Sequence, residues 1–286
     1  MQEEIIISLT TWKPRMQNIP VVLETIYAQT VQPDKIVINL AYDEIVPENI
    51  QEYIESHQIE VNFVPNTKVY KKFLPTLLKY PDACVINIDD DCIFPPNMIE
   101  DFMVMHKKYP QFPISGNKVV LFGLQCHCGN ASLTKYEHFG DSLKAIDEDL
   151  MQNCTSSDIV YTYLAAKNNH PYICSEGTYF ENVMQGFLEH SPYTRQVIEV
   201  DNGIIKSFQY LVKRFGELPI QLHNYVPDEY LATLITRQIE ITLQSVVEEQ
   251  RVLSEEKVRS SSAYRLGKFL LKPFSWLRNL LKCNKK

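Results

Sequence analysis

Residues 87–96 read NIDDDCIFPP, so Asp89, Asp90 and Asp91 follow an apolar run, VINI, with the character of a buried strand. Three adjacent carboxylates repel, and leaving them together at a strand end raises the pKa of at least one or requires a cation. Along a continuing strand, alternate side chains share a face, which puts Asp89 and Asp91 together and Asp90 on the other side. A D-x-D pair at the rim of an α/β sheet can hold a divalent metal and a ribose. Magnesium and manganese prefer such oxygen ligands and leave positions for substrate phosphates. The plainer alternative is a solvated acidic turn ahead of Pro95-Pro96; the apolar approach to the triplet counts against it.

The elements that would position this triplet alternate along the first half of the chain. EIIISLT (4–10), DKIVINLAYDE (34–44), IEVNFVP (59–65) and CVINIDDD (84–91) read as strands. Between them NIPVVLETIYAQT (18–30), with Asn18 as N-cap and Pro20 in the first turn, ENIQEYIESH (48–57) and VYKKFLPTLLKY (69–80), with an internal proline, read as helices. NMIEDFMVMHKKYP (97–110) and SSDIVYTYLAAKNN (156–169), capped by Ser156 or Ser157, are also helical, whereas 111–145 mixes short strands and loops. Strands alternating with helices predict a parallel sheet covered on both faces, an α/β fold. Ligands of such sheets bind beyond the carboxyl ends of the strands. Thr10, Thr11, Asp43, Glu44 and the triplet all fall at expected carboxyl ends, so they converge on one rim.

Composition narrows the function. The chain has 286 residues and an ordinary globular balance of 45% hydrophobic and 22% charged side chains. Nine of its 28 Lys and Arg and none of its 35 Asp and Glu fall in 257–286, so the first 256 residues carry 19 basic against 35 acidic side chains, a net of −16. An acidic body disfavours nucleic acid, which needs a basic face. An odd count of seven cysteines, no signal peptide and no long apolar run predict a cytoplasmic protein with reduced thiols. Cys126 and Cys128 flank His127, but without a matching second pair they read as small buried side chains rather than a zinc site.

Four blocks, IIISLTTWKPR (5–15), QTVQPDKIVINLAYDE (29–44), YKKFLPTLLKYPDACVINIDDDCIFPP (70–96) and SSDIVYTYLAAKNN, together resemble the inverting family-two glycosyltransferases of the GT-A fold, closest to bacterial members that build surface polysaccharides. The likeness is good over about residues 4–110 and patchy to about 215. It implies a Rossmann-like, mostly parallel sheet flanked by helices, with a glycosyltransferase domain over residues 1–220. By position, Thr10, Thr11 and Trp12 would line the nucleotide pocket and Asp43 would meet the base or ribose. Lys71 or Lys72 would lie near the base or diphosphate; a solvated helix face is the alternative for these lysines. Asp89 would face the ribose and share the metal, Mn2+ or Mg2+, with Asp91, while Asp90 supports that shell. Relatives carry a D-D-I pattern at a helix start; here Ser157-Asp158-Ile159 keeps the second acid, and Asp158 matches the general base that takes the acceptor hydroxyl's proton. His190 is a weaker candidate to complete the metal shell, and EVDNGIIKSFQYLVKRFG (199–216) resembles a late helix of the family whose expected role is core packing.

Residues 221–260 read as a helical extension and 261–286 as a basic amphipathic segment. Leu266, Phe269, Leu270, Phe274, Leu277, Leu280 and Leu281 form one stripe, with Lys268, Lys272 and Lys282 opposite. Such a helix suits an anionic membrane interface, and Pro273 should kink it. The expectation is an enzyme peripheral to the inner face of the cell membrane, moving sugar from a nucleotide-sugar donor to a saccharide or lipid-linked acceptor. Two rivals stand beside it. An inactive membrane-bound scaffold of the same fold is kept alive by Ser157. A sugar nucleotidyltransferase is disfavoured because TTWKPR replaces a Gly-rich phosphate loop.

Overall fold

The computed structural model describes residues 3–116, 124–127, 130–175 and 206–218, and the backbone alone at 120–121 and 203–205. The chain divides into two units, Met1–Leu234 and Ile235–Lys286, and every described residue belongs to the first. The expected boundaries near 220 and 260, His190, Cys128 and the basic C-terminal segment lie outside the described residues.

Strands β1 (Ile5–Thr10), β2 (Lys35–Ala41), β3 (Glu60–Val64) and β4 (Cys84–Ile88) lie parallel, in the order β3-β2-β1-β4. Beyond β4 the sheet continues through β8 (Ala131–Thr134), β5 (Ile114–Ser115) and β9 (Ile173–Cys174). β8 runs antiparallel to both β4 and β5. A separate two-stranded piece pairs β6 (Val120–Leu121) with β7 (Leu124–Gln125).

Both faces of the sheet are covered, as the continuous apolar strands require. On one face Ile5, Ile7 and Leu9 pack against helix α1 (Ile19–Tyr27), α2 (Glu48–Ser56) and α4 (Met98–Lys108) through Val22, Ile26, Ile50, Ile54, Ile99 and Phe102. On the other, Ile6, Val37 and Val85 meet α3 (Leu74–Lys79), α5 (Glu148–Asn153), α6 (Ser157–Lys167) and α7 (Gly203–Phe215). Each fully buried aliphatic or Phe side chain here stabilises the fold by about 1.5–3 kcal/mol. In α6, Ile159, Val160, Tyr161, Tyr163, Leu164 and Ala165 are all buried, so this helix is sandwiched and not a surface helix. α7 packs on it, as expected for core packing, with Leu211 fully buried.

Three expectations are corrected. Residues 69–80 form a 3-10 turn at Lys68–Lys72 followed by the short α3, with Pro75 in the first turn of α3 and not inside a helix. Proline lacks an N–H, so it sits where that donor would be unsatisfied anyway. β4 ends at Ile88, and Asp89–Asp91 form a turn, not a strand extension. The helix expected to Thr30 stops at Tyr27, and neither Asn18 nor Ser156 makes a side-chain cap.

Candidate active site

Strand order reverses at β1: the chain leaves it toward β2 and β3 on one side and returns to β4 on the other. Such a switch point opens a crevice at the carboxyl ends of the two strands. The TTWKPR loop leaves β1 there, and the aspartate triplet leaves β4 beside it. A short turn, in which the Arg15 and Met16 amides donate to the Trp12 carbonyl, aims Arg15 back over the triplet. Its guanidinium pairs with Asp90 at 2.9 Å and with Asp91. Lys72 pairs with Asp89. Three carboxylates thus meet two cations of the same chain, and the expectation that they need an outside cation is met in large part from within.

The triplet splits as the D-x-D reading required, for a different reason. Asp90 turns inward, 4% exposed, while Asp89 and Asp91 bring carboxylate oxygens within 4.8 Å of each other and of the Cys92 sulfur. The divergence comes from the turn and not from strand alternation. Asn130, just ahead of β8, buttresses it: its carbonyl accepts from the Asp89 amide at 3.1 Å and its side-chain amide reaches Cys92 Sγ at 3.2 Å. Behind the triplet, Gln29 spans the Pro95-Pro96 turn, donating to the Pro95 carbonyl at 2.7 Å and accepting from the Ile99 amide at 3.1 Å. Burial pushes the Asp90 carboxyl above its ordinary range, and the Arg15 charge opposes that shift.

Both lysines are buried, which overturns the solvated-face alternative. A polar cluster inside the sheet fixes them. The Ser8 hydroxyl donates to the Lys72 carbonyl at 2.6 Å and lies 2.7 Å from the Thr76 hydroxyl, and the Asn39 amide donates to Thr76 at 2.8 Å. Asn62 in turn donates to Asn39 at 2.9 Å. Burial lowers the Lys71 pKa, against the pull of Glu44, Asp90 and Asp43. Glu44 also accepts from the Lys13 amide at 3.1 Å, closing the rim between β1 and β2.

The other expected residues take distinct places. Thr10 donates its hydroxyl to the Asn39 carbonyl at 2.6 Å. Thr11 is buried, Trp12 is 41% exposed, and Asp43 is exposed in the turn after β2. Asp158 lies in the first turn of α6, where the helix dipole favours its charged form. Its carboxylate, 42% exposed, faces the buried His127 ring with Oδ1 3.8 Å from Nε2. Lys72 acts on both sides: it pairs with Asp89, and its charge helps depress the His127 pKa, after the dominant effect of burial. Arg15, Asn130, Gln29 and His127 were not assigned to the site from sequence. Arg15 closes the quoted block IIISLTTWKPR, and a lone arginine after a strand end facing an acidic triplet was the available signal.

Asp89 and Asp91 suit a hard divalent ion, which takes oxygen ligands and completes its shell with water and phosphate. Lys72 holds Asp89 Oδ1 and Arg15 holds Asp91 Oδ2, which leaves one oxygen of each carboxylate without an ionic partner among the described residues. The Cys92 thiol, a softer donor, is turned to Asp91 Oδ1 at 3.7 Å. The other described cluster of three ligand atoms, Glu3, Cys84 and His106, is closed as an ion-pair network, since Lys135 and His106 each hold an oxygen of Glu3 at 2.9 Å. Cys126 is buried, as expected of a small core side chain, and the other described cysteines, Cys84, Cys92, Cys154 and Cys174, are buried too.

No protein-family model and no curated protein sequence matches the chain. Among solved structures, the mannosyltransferase PcManGT from Pyrobaculum calidifontis, in complex with GDP-Man and Mn2+, aligns with a TM-score of 0.61 at 13% identity, over 93% of this chain and 83% of its own. S. aureus TarS 1–349 in complex with UDP aligns with a TM-score of 0.47 at 11% identity, over 74% of this chain and 72% of its own. A 4-diphosphocytidyl-2C-methyl-D-erythritol synthase aligns with a TM-score of 0.45 at 9% identity, over 69% and 99%. At such identities what the first of these shares with this chain is the fold. The chain has a GT-A-type α/β fold, a mostly parallel, Rossmann-like sheet flanked by helices.

Proposed function

We propose that this chain is a metal-dependent inverting glycosyltransferase, transferring a sugar from a nucleotide-sugar donor to a saccharide or lipid-linked saccharide in cell-surface polysaccharide synthesis. One observation carries the reading: at the switch point of a GT-A-type sheet, Asp89 and Asp91 turn carboxylate oxygens together while Asp90 is drawn inward by Arg15. The fold shared with PcManGT supports it.

In this reading the donor lies across the carboxyl ends of β1 and β4. Thr11, Trp12 and Asp43 border the nucleoside, with Thr10 bracing the loop from behind. Lys72 and Arg15 hold positive charge beside the diphosphate. Asp89 and Asp91 would hold Mn2+ or Mg2+, which would supply positive charge to offset that of the departing nucleoside diphosphate. Asp158 takes the proton of the acceptor hydroxyl as that oxygen attacks the anomeric carbon, so the sugar inverts. The acidic body is held against an anionic leaflet by the basic segment 261–286.

Release of nucleoside diphosphate from a donor panel with Mn2+ tests the chemistry. Asp91→Ala and Asp158→Asn should each lose turnover by at least about 100-fold, with Asp158→Asn still binding donor. Unchanged turnover in both variants would remove these residues from the reaction. For the membrane, a chain ending at residue 256 should lose binding to phosphatidylserine vesicles; equal binding would remove the tail from the reading.

A further inference from the structure

His127 is fully buried, and the proposed chemistry gives it no task. Its surroundings are built around it. Phe73, Tyr161 and Tyr172 enclose the ring, with centroids 5.5, 5.2 and 5.3 Å away. Its backbone amide donates to Thr162 Oγ1 at 2.8 Å, and that hydroxyl donates to the Asp158 carbonyl at 2.6 Å. The His127 segment is therefore locked to the same helical turn that carries Asp158. Tyr172 is anchored by a bridge to Gln125, two residues before His127.

The hydrogen-bond pattern sets the tautomer. His127 Nδ1 lies 2.9 Å from the Tyr172 hydroxyl, which lies 3.1 Å from Thr134 Oγ1. Burial and the nearby Lys72 charge hold the imidazole neutral, so one ring nitrogen carries a proton and the other does not. A proton on Nδ1 would leave the Nε2 lone pair facing the Asp158 carboxylate, a repulsive arrangement. With Tyr172 donating to Nδ1 and Thr134 donating to Tyr172, both hydroxyls are used and the ring proton falls to Nε2, the nitrogen 3.8 Å from Asp158 Oδ1.

We propose that His127 is a positioning residue: its Nε2–H orients the Asp158 carboxylate through Oδ1, with Tyr172 fixing the tautomer. The 3.8 Å separation is longer than a hydrogen bond. Catalytic contacts of this kind tighten when substrate is bound. This inference rests on the reading of Asp158 as the base.

The test uses the full chain with 15N-labelled histidine. His127 should show a protonated Nε2 and a bare Nδ1 throughout the neutral range, and Tyr172→Phe should mix in the other tautomer. A proton on Nδ1, or an imidazolium, overturns the proposal. In turnover, His127→Phe should lower kcat about 10- to 100-fold with donor KM unchanged. His127→Asn, which keeps an N–H donor, should restore part of that loss and carries the test if the Phe variant does not fold. In an Asp158→Asn background the same changes should cost nothing further; a full additional loss, or an effect on donor KM alone, overturns the proposal. If the parent turns over no donor, the transferase reading fails, while the tautomer still decides the His127–Asp158 contact.

Discussion

Arg15 holds two of the three carboxylates that follow β4, and its own side chain is 11% exposed. Removing one partner of a buried ion pair costs about 3–5 kcal/mol, because the other charge is left uncompensated. Arg15→Met should therefore destabilise the metal-free protein by that order at neutral pH. Asp90 already binds its proton more tightly than a free carboxyl. A raised carboxyl pKa favours the folded state at low pH and loses that advantage as pH rises, so the penalty of Arg15→Met should shrink toward about pH 4. Urea unfolding of variant and parent at both pH values reads this out; equal stability at neutral pH would show that Arg15 does not hold the triplet together. A second residue-scale expectation concerns the buried His138. The Lys135 amide donates to His138 Nδ1 and its Nε2 faces the Pro110 carbonyl, and burial lowers its pKa to about 3 from 6.5. The unfolded chain then takes up the proton first, so stability is full above about 6.5 and falls as pH drops toward 3. At pH 5 the effect of such a histidine is about 2 kcal/mol. His138→Gln should flatten the acid limb of a stability profile; an unchanged slope would mean that the ring is charged in the fold.

At the scale of elements, the site depends on a polar cluster buried between β1, β2 and α3. Ser8 on β1 and Asn39 on β2 point to the same face and grip the Lys72 carbonyl and Thr76. They fix the turn that presents both lysines to the rim. Thr76→Val keeps the shape and removes the shared hydroxyl, which should cost about 1–3 kcal/mol for the polar groups left short of a partner. It should also weaken donor binding, because Lys72 loses its fixed mount. A variant that melts with the parent and binds donor equally would show that the cluster only fills space. Helix α6 is the second such element: its buried flanks lock its orientation, and its first turn presents Asp158.

For the whole molecule, how much could be read in advance followed from range. Four parallel strands, their helices and the covered sheet were legible because period and punctuation are local signals. The rim was legible because ligands gather where parallel strands end. β8 was not, since a four-residue strand carries little pattern of its own and is defined by pairing with β4, more than forty residues earlier. The extents of β4 and of the helix around Pro75 differ from expectation for the same reason: the Asp89 amide donates to the Asn130 carbonyl and the Ser8 hydroxyl donates to the Lys72 carbonyl, partners that are distant in the chain.

The sequence by itself determined the α/β class, the strand ends that carry chemistry, and the charge contrast between an acidic body and a basic tail, since each depends on neighbours along the chain. Only the tertiary structure decided that Arg15 and Lys72 neutralise the triplet, that Asp90 faces inward, and that His127 lies against Asp158. Those pairings bring together side chains that are 17 to 76 positions apart. Their energies come from burial and from distances of a few ångströms, which exist only once the sheet and its covering helices have closed.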